Sequence, residues 1–227
     1  VWDWSLIPGI TTTYLSDSDV QIGAKENVKN HMYQTGTKSF VGGVSDGLYA
    51  VSVMDYEHKH NHDWYSTTAK KAVFMFDDGF VSLTADIKGT DSSYPVNTTL
   101  NQCNLNGDVV YSENNSSTKT LGAETGSNVT AKWINHDGVS YIFPEARSVM
   151  VSNKAKTGTW KKINDSGSAT TITKNVFEAY ISHGKKPNGA SLEYTVLPAA
   201  TIEETKQYVN SPDMLTVTNN SATQSVW

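Results

Sequence analysis

A chain of 227 residues with a formal net charge of −5 is long enough for one large domain and too acidic for a typical nucleic-acid binder. Its one arginine, Arg147, excludes a site that grips a polyanion through several guanidinium groups. The single cysteine, Cys103, excludes an internal disulfide, and no apolar run reaches the roughly 18 residues that a membrane-spanning helix needs.

The first predicted element is a sharp turn that follows a pair of tryptophans. Trp2 and Trp4 are followed by an apolar pair, and Pro8 and Gly9 come directly after that pair. Because proline removes a backbone donor and glycine permits positive φ, this order predicts a turn directly after an aromatic anchor. The threonine run at 11–13 then favours a strand. We expect this segment to be the entrance to a β-domain that another part of the protein precedes.

Short runs of strand length dominate the rest of the chain. Gly, Asn, Asp and Ser separate these runs, and several of them alternate apolar and polar residues, as a strand with one solvated face does. A strong hairpin signal, Asp77-Asp78-Gly79, joins two of the runs. The predicted strands are residues 48–54, 71–76, 80–85, 139–143, 176–181 and 192–197.

Helical signal is confined to residues 202–209. Thr201 precedes this stretch and Glu204 lies three residues further on, which is the pattern of a capping box. The polar stretches 113–117 and 165–171 are predicted to be loops or hairpin tips. The chain is therefore predicted to be all-β, a large sandwich of antiparallel sheets with at most one or two short helices.

Two groups of side chains are candidate metal ligands. His58, His60 and His62 would share one face of an extended strand, and neutral imidazoles are common ligands. The competing interpretation is a solvated hairpin tip, because polar residues surround them and a catalytic zinc needs a dry, supported cavity. Asp77 and Asp78 could bind calcium through carboxylate oxygens, but the hairpin turn is a simpler account of them. Apart from this possible calcium, the sequence indicates no cofactor.

Two further histidines are predicted to be structural. His136 lies in an Asn-His-Asp-Gly turn, and His183 directly follows a predicted strand. Serine is so frequent in this chain that the presence of Ser, His and Asp together is no evidence for a catalytic triad. The chain has neither a Gly-x-Ser-x-Gly elbow nor a phosphate-binding glycine-rich loop.

An amide-rich segment, residues 101–107, is the strongest candidate for sugar binding. Its four amide side chains are Asn101, Gln102, Asn104 and Asn106. Amides donate and accept hydrogen bonds without charge, so they suit sugar hydroxyls, but they suit tight turns equally well.

A collinear series of motifs covers almost the whole chain. The motifs are WDWSLIPGITT at 2–12, FVGGVSDGLY at 40–49, AKKAVFMFD at 69–77, TTLNQ at 98–102, HDGVSYIFP at 136–144, GTWKKIN at 158–164, ISHG at 181–184 and YTVLP at 194–198. Taken in order, they resemble the central β-domain of polysaccharide lyase family 8, which includes chondroitin AC, hyaluronate and xanthan lyases. The resemblance implies a β-super-sandwich of the galactose-mutarotase-like kind, so that residues 1–227 would be a domain truncated at both ends.

The resemblance also implies an activity and partners. Family members cleave acidic, uronic-acid-containing polysaccharides by β-elimination, in which a base removes the proton α to the carboxylate and an acid protonates the leaving oxygen. The carboxylate must first be neutralised, and the family's Asn, His, Tyr and Arg around it belong to a helical domain that precedes this one. We therefore expect a secreted bacterial enzyme whose helical domain and smaller C-terminal β-domain lie outside this chain. No nucleic-acid or membrane partner is expected.

One catalytic glutamate of the family comes from the β-domain, and its position here matches Gln34. An amide could orient a neighbouring side chain but could not tune its pKa by charge. Where close chondroitin-type relatives carry an aromatic residue beside the Asn-Gln pair, this chain has Asn104. The residues expected to face sugar are Gln34, Asn101, Gln102 and Asn104.

Two other functions remain open at this point. Because Gln34 stands where the family has a catalytic glutamate, the chain could instead be a non-catalytic carbohydrate-binding or scaffolding β-sandwich. A sandwich glycosidase would need paired carboxylates across a cleft, and the sequence designates no such pair.

Overall fold

The computed structural model describes residues 1–15, 37–59, 66–162, 164, 166–211 and 215–227. Its strands are β1 (Thr11–Thr13), β2 (Val41–Ser45), β3 (Ala50–Lys59), β4 (Ser66–Phe76), β5 (Gly79–Gly89), β6 (Pro95–Asn104), β7 (Val109–Ser112), β8 (Lys119–Thr120), β9 (Gly126–His136), β10 (Val139–Gly158), β11 (Ile172–Lys185), β12 (Asn188–Leu197), β13 (Val217–Asn219) and β14 (Gln224–Val226). A 3-10 helix spans Trp160–Lys162, and one α-helix, α1, spans Ile202–Asn210. Within these described residues, the predicted all-β class with at most two short helices is confirmed.

Twelve strands form one antiparallel sheet whose path runs β1-β6-β11-β10-β12-β5-β4-β3-β2. β9 pairs with β10 and β7, and β8 extends β7, while β13 and β14 form a separate hairpin. The sheet folds back on itself, because Thr13 of β1 and Thr67 of β4 share a hydrogen bond of 3.0 Å between their hydroxyl oxygens. Distant parts of the path thus face each other and enclose a core.

The 20-residue strand β10 is shared between two parts of the sheet. Its first residues pair with β12, and the stretch from Met150 to Gly158 pairs with β11. Its pairing with β9 shifts register between Ile142 and Arg147, where Pro144 lacks the backbone N–H that a ladder needs. The largest buried apolar cluster lies along this strand, with Tyr141, Phe143, Val149 and Val151 among its members.

Two predictions made from short sequence motifs are confirmed, namely the hairpin turn and the helix cap. Phe76 pairs with Gly79, so Asp77 and Asp78 form a two-residue hairpin loop. A side chain at Gly79 would place its Cβ 2.1 Å from the Val196 carbonyl oxygen, which explains the glycine. Helix α1 carries the predicted capping box between Thr201 and Glu204.

None of the helices in the described ranges is long and apolar enough to cross a bilayer.

Candidate functional site

The candidate site is built around β6, where the predicted amides point to opposite sides. Successive side chains of a strand alternate between its two faces, so Asn101 and Gln102 cannot share one surface. Asn101 donates from Nδ2 to the Tyr141 hydroxyl at 2.7 Å and lies half-buried on the core side. Asn104, at the end of β6, is exposed. The amides therefore do not form one sugar-binding row.

Gln102 holds the N-terminal segment, residues 1–10. Its Oε1 accepts from the backbone N–H of Asp3 at 2.7 Å, and its Nε2 donates to the carbonyls of Asp3 at 2.9 Å and Leu6 at 3.0 Å. The side chain is only 1% exposed. Because both amide protons are used inside the protein, Gln102 positions this segment and does not present its amide to solvent.

Asp3 is the second fixed point of the segment. Its Oδ1 accepts from the N–H of Ser5 at 2.9 Å, and its Oδ2 accepts from the Tyr14 hydroxyl at 3.0 Å. Burial, aided by the Asp3 carboxylate, raises the pKa of Tyr14 above its usual range, so the phenol stays a donor. The Tyr14 ring stacks on Tyr180 with centroids 6.2 Å apart.

The predicted turn is confirmed, but the prediction that tryptophan anchors it is wrong. The N–H of Ile10 donates to the Ile7 carbonyl at 3.1 Å, and Gly9 has φ +79°, as the third residue of a type II turn requires. Trp2 and Trp4 are 41% and 47% exposed, whereas Leu6 is 1% exposed. Buried Asp3 and Leu6 are the anchors, because they face the sheet while the two indoles on either side of Asp3 remain exposed to solvent.

The sheet face under the N-terminal segment is rich in lysine. Gln102 is the cross-strand partner of Glu178, and Lys156 of β10 forms an ion pair with Glu178. Lys174 is the cross-strand partner of Lys156, so it lies on the same face. Val1 lies against Gly158 at the end of β10, where an added Cβ would come within 2.2 Å of the Val1 nitrogen. The 3-10 helix with Trp160, Lys161 and Lys162 follows directly.

The metal candidates are not brought together in the part of the chain that the structure describes. His60, His62 and Gln34 lie outside the described residues. His58 is half-buried, and its Nδ1 lies 3.1 Å from the Thr12 hydroxyl oxygen. Asp77 and Asp78 form the exposed hairpin loop, and no group of three or more His, Cys, Asp or Glu side chains in the described residues could hold an ion.

The His136 side chain is buried, and its contacts are all to groups within the fold. The backbone N–H of Asn106 donates to its Nε2 at 3.1 Å, and its ring stacks on Phe177 with centroids 4.3 Å apart. Its Nδ1 lies 3.7 Å from the Cys103 sulfur. Burial lowers the pKa of His136 and raises that of the Cys103 thiol, so both groups are held neutral and the thiol is not activated.

A second group of basic side chains, Lys71, Arg147 and His183, is half-buried in the fold. The Lys71 ammonium donates to the Gly9 carbonyl at 2.5 Å, and burial lowers the pKa of Lys71 to about 8. The Thr98 hydroxyl oxygen lies 2.8 Å from His183 Nε2. Arg147, half-buried, lies over the Phe143 ring at 5.9 Å, and burial lowers its pKa. The one guanidinium is thus a partly buried group, with no second arginine to form a polyanion clamp.

Comparison with known proteins supplies the class of this fold. Residues 1–209 match the model of the polysaccharide lyase family 8 super-sandwich domain. A chondroitinase-AC of Pedobacter heparinus is 36% identical over 96% of this chain, which spans 29% of that protein. A xanthan lyase of Bacillus sp. strain GL1 is 35% identical over 79% of the chain, equal to 20% of its own length.

A solved structure agrees with the sequence matches. An oligosaccharide complex of chondroitinase AC lyase superposes with a TM-score of 0.78 at 31% identity, covering the whole chain and 31% of that protein. The fold is therefore the super-sandwich of a polysaccharide lyase, and this chain belongs to polysaccharide lyase family 8. The chain spans less than a third of the length of each of these relatives.

The structure gives roles to residues for which the sequence predicted no individual function. Asp3, Tyr14 and Lys71 hold the N-terminal segment, and Trp160, Lys161 and Lys174 gather at one end of the sheet. The WKK triplet at 160–162 was a visible signal, because exposed aromatic and basic residues adjoin in an otherwise acidic chain. The Asp3–Gln102 contact had no sequence signal, because the two residues are 99 positions apart.

Proposed function

We propose that this chain is the central super-sandwich domain of a secreted bacterial lyase that cleaves uronic-acid-containing polysaccharide by β-elimination. The observation that carries the proposal is the family match over residues 1–209. The named activities of the relatives, on chondroitin and xanthan, support an acidic polysaccharide as substrate. In this proposal residues 1–227 are one part of a longer enzyme that also has a helical domain and a C-terminal β-domain.

The chain's own residues support a division of labour. Neutralising a uronate carboxylate in the transition state requires donors aimed at it, and the chain's one guanidinium is half-buried beside Phe143. The proton-transfer and carboxylate-binding groups would therefore come from the helical domain. The super-sandwich domain of this chain would form one wall of the substrate cleft.

The residues proposed for that wall differ in their roles. Asn104 is exposed at the end of β6 and can donate to and accept from a sugar hydroxyl. Asn101 would act through Tyr141, and Gln102 through the N-terminal segment, as positioning residues. Gln34 would take the place of the family glutamate and orient a neighbour by hydrogen bonding without adding charge.

The test uses the full-length protein that contains this chain. Incubation with hyaluronan, chondroitin and xanthan should release unsaturated uronate ends, which absorb in the near ultraviolet, from at least one polymer. The 227-residue chain alone should release none. Turnover by the chain alone would overturn the division of labour. A full-length protein inactive on all three polymers but still retained by them would instead support the non-catalytic carbohydrate-binding function.

A further inference from the structure

We propose that one end of the sheet is a docking surface for anionic polysaccharide that adjoins the exposed Asn104 of β6 on the same sheet face. This surface, called here the basic aromatic end, consists of Trp2, Trp160, Lys161, Lys162 and Lys174. The inference rests on the proposed function for its substrate class, but its residues play no part in the chemical step.

The fold gathers these residues from three segments. β10 and β11 are joined at this end, where Gly158 pairs with Ile172, and the 3-10 helix lies in the connection between them. The backbone N–H of Lys161 donates to the Ser168 carbonyl at 3.0 Å, which ties the helix to the returning chain. Val1 lies against Gly158, so Trp2 reaches the same end from the N-terminal segment.

The charge of this end opposes that of the molecule as a whole. Lys161, Lys162 and Lys174 are exposed and form no ion pair among the described residues, in a chain of net charge −5. Two described carboxylates border this end: Glu178 pairs with Lys156, and Glu124 accepts from the Ala155 N–H at 2.9 Å. Within the described residues, these three ammonium groups therefore have no carboxylate partner and can meet an external anion.

The aromatic side chains add a second kind of contact. Trp160 is 58% exposed and Trp2 is 41% exposed, so part of each indole can be contacted from outside the chain. Trp2 is held in place because Gln102 and Asp3 fix the backbone on its C-terminal side. The C–H face of a pyranose ring is apolar and can stack on an indole, while its carboxylate or sulfate reaches a lysine.

This chemistry fits an acidic polysaccharide better than a single small anion. Lysine is a flexible point charge, so several lysines spread over a surface tolerate a chain whose charges recur once or twice per disaccharide. The surface has no guanidinium fork, which a tightly bound phosphate or sulfate site would favour. Binding is therefore expected to be weak at each contact, additive along the polymer and sensitive to salt.

Binding of chondroitin sulfate and hyaluronan oligosaccharides to the 227-residue chain, by titration calorimetry at low ionic strength, tests the proposal. The Lys161→Gln/Lys174→Gln variant should bind about fivefold to tenfold more weakly, since two exposed charge contacts are lost. Its matched control is Lys185→Gln/Lys186→Gln, which has the same net charge but changes the far end of β11, about 35 Å away. Trp160→Ala should weaken binding, and Trp227→Ala, another exposed tryptophan, should not.

Three results would overturn the proposal: equal weakening by both lysine pairs, no measurable binding at low ionic strength, or equally tight binding of single-stranded DNA. The lyase assay on the full-length protein is independent of these measurements. An inactive full-length protein whose basic aromatic end still binds polysaccharide would overturn the proposed lyase function alone. An active enzyme with unchanged binding in Lys161→Gln/Lys174→Gln would overturn this inference alone.

Discussion

His183 is a half-buried imidazole that lies close to the basic groups of Lys71 and Arg147. Its Nε2 lies 2.8 Å from the Thr98 hydroxyl oxygen, and Thr98 in turn contacts Thr11 at 2.9 Å. Burial, with smaller contributions from the charges of Arg147 and Lys71, lowers the pKa of His183 to about 4. A proton added here would create a third positive charge beside half-buried Lys71 and Arg147, so the folded state resists protonation.

This environment makes stability depend on pH in a defined direction. The unfolded chain binds a proton at His183 near the ordinary histidine pKa of about 6.5, whereas the folded chain binds it only near pH 4. Between these values the unfolded state holds more protons, so the free energy of unfolding should fall as the pH falls. We expect His183→Gln, which keeps a hydrogen-bonding group near Thr98 but does not titrate, to show a shallower fall.

Urea denaturation of both proteins from pH 8 to pH 4 measures the difference. At pH 8 the residue is neutral in both states, so that measurement isolates the packing effect of the substitution. If the two proteins lose stability in parallel below pH 6.5, proton linkage at His183 is not the cause.

The N-terminal segment shows what sequence can and cannot predict about an element. Its turn was predictable, because Pro8 and Gly9 carry their own conformational preferences. Its anchoring was not, because the polar partner that buries Asp3 comes from β6, and a buried amide cannot be told from an exposed one by residue type. The tryptophans looked like anchors because large aromatic residues are usually well buried, yet here they flank the buried residue.

Removing the Gln102 amide should release this segment. Gln102→Leu keeps much of the volume but leaves the Asp3 N–H and the Leu6 carbonyl without their partner, while the Asp3 carbonyl keeps only the Leu6 N–H as a donor. Buried groups left unsatisfied in this way should cost about 2–4 kcal/mol in the free energy of unfolding. Chemical denaturation gives the value, with exposed Asn104→Ala as the control, which should change stability by less than about 0.5 kcal/mol.

A second readout separates release of the segment from general instability. In Gln102→Leu the emission of Trp2 and Trp4 should shift at denaturant concentrations below the main transition. Coincident transitions in both proteins would show that Gln102 supports the whole sheet and not this segment in particular.

Some of the other elements are specified by residues close in sequence, and others depend on contacts between distant parts of the chain. The capping box of α1 and the Asp77-Asp78 loop are specified by residues within a few positions, and both were predictable. Only the first five residues of β10 were predicted, although the strand extends to Gly158. Pro144 and the polar residues beyond it weaken the strand pattern, and pairing with β11 and β9 supplies the missing stabilisation. The proposed sugar contacts could not be predicted for a similar reason. Side chains alternate between the two faces of β6, and only the tertiary structure shows which face leaves an amide exposed to solvent.

At the scale of the whole molecule, β1 reaches across the fold to β4. β1 is one end of the sheet path and β4 is separated from it by five strands, yet Thr13 and Thr67 contact each other at 3.0 Å and are both buried. Lys71 strengthens the same junction through Gly9 and Thr11. This junction joins the segment that carries Trp2 to the opposite side of the sandwich, so closure of the sheet and placement of the segment are coupled.

A double-mutant cycle on the two threonines tests this closure. Thr13→Val or Thr67→Val alone removes one hydroxyl and leaves the other buried without a partner, which should cost about 1–3 kcal/mol each. The double variant leaves neither hydroxyl unsatisfied, so its loss of stability should be smaller than the sum of the single losses. Pairing Thr13→Val with Thr223→Val, an exposed threonine in the β13–β14 hairpin, should give additive losses. Additive losses for Thr13 and Thr67 as well would mean that the sheet does not close through this contact in solution, and the N-terminal segment would then be held by its bonds to β6, Tyr14 and Lys71.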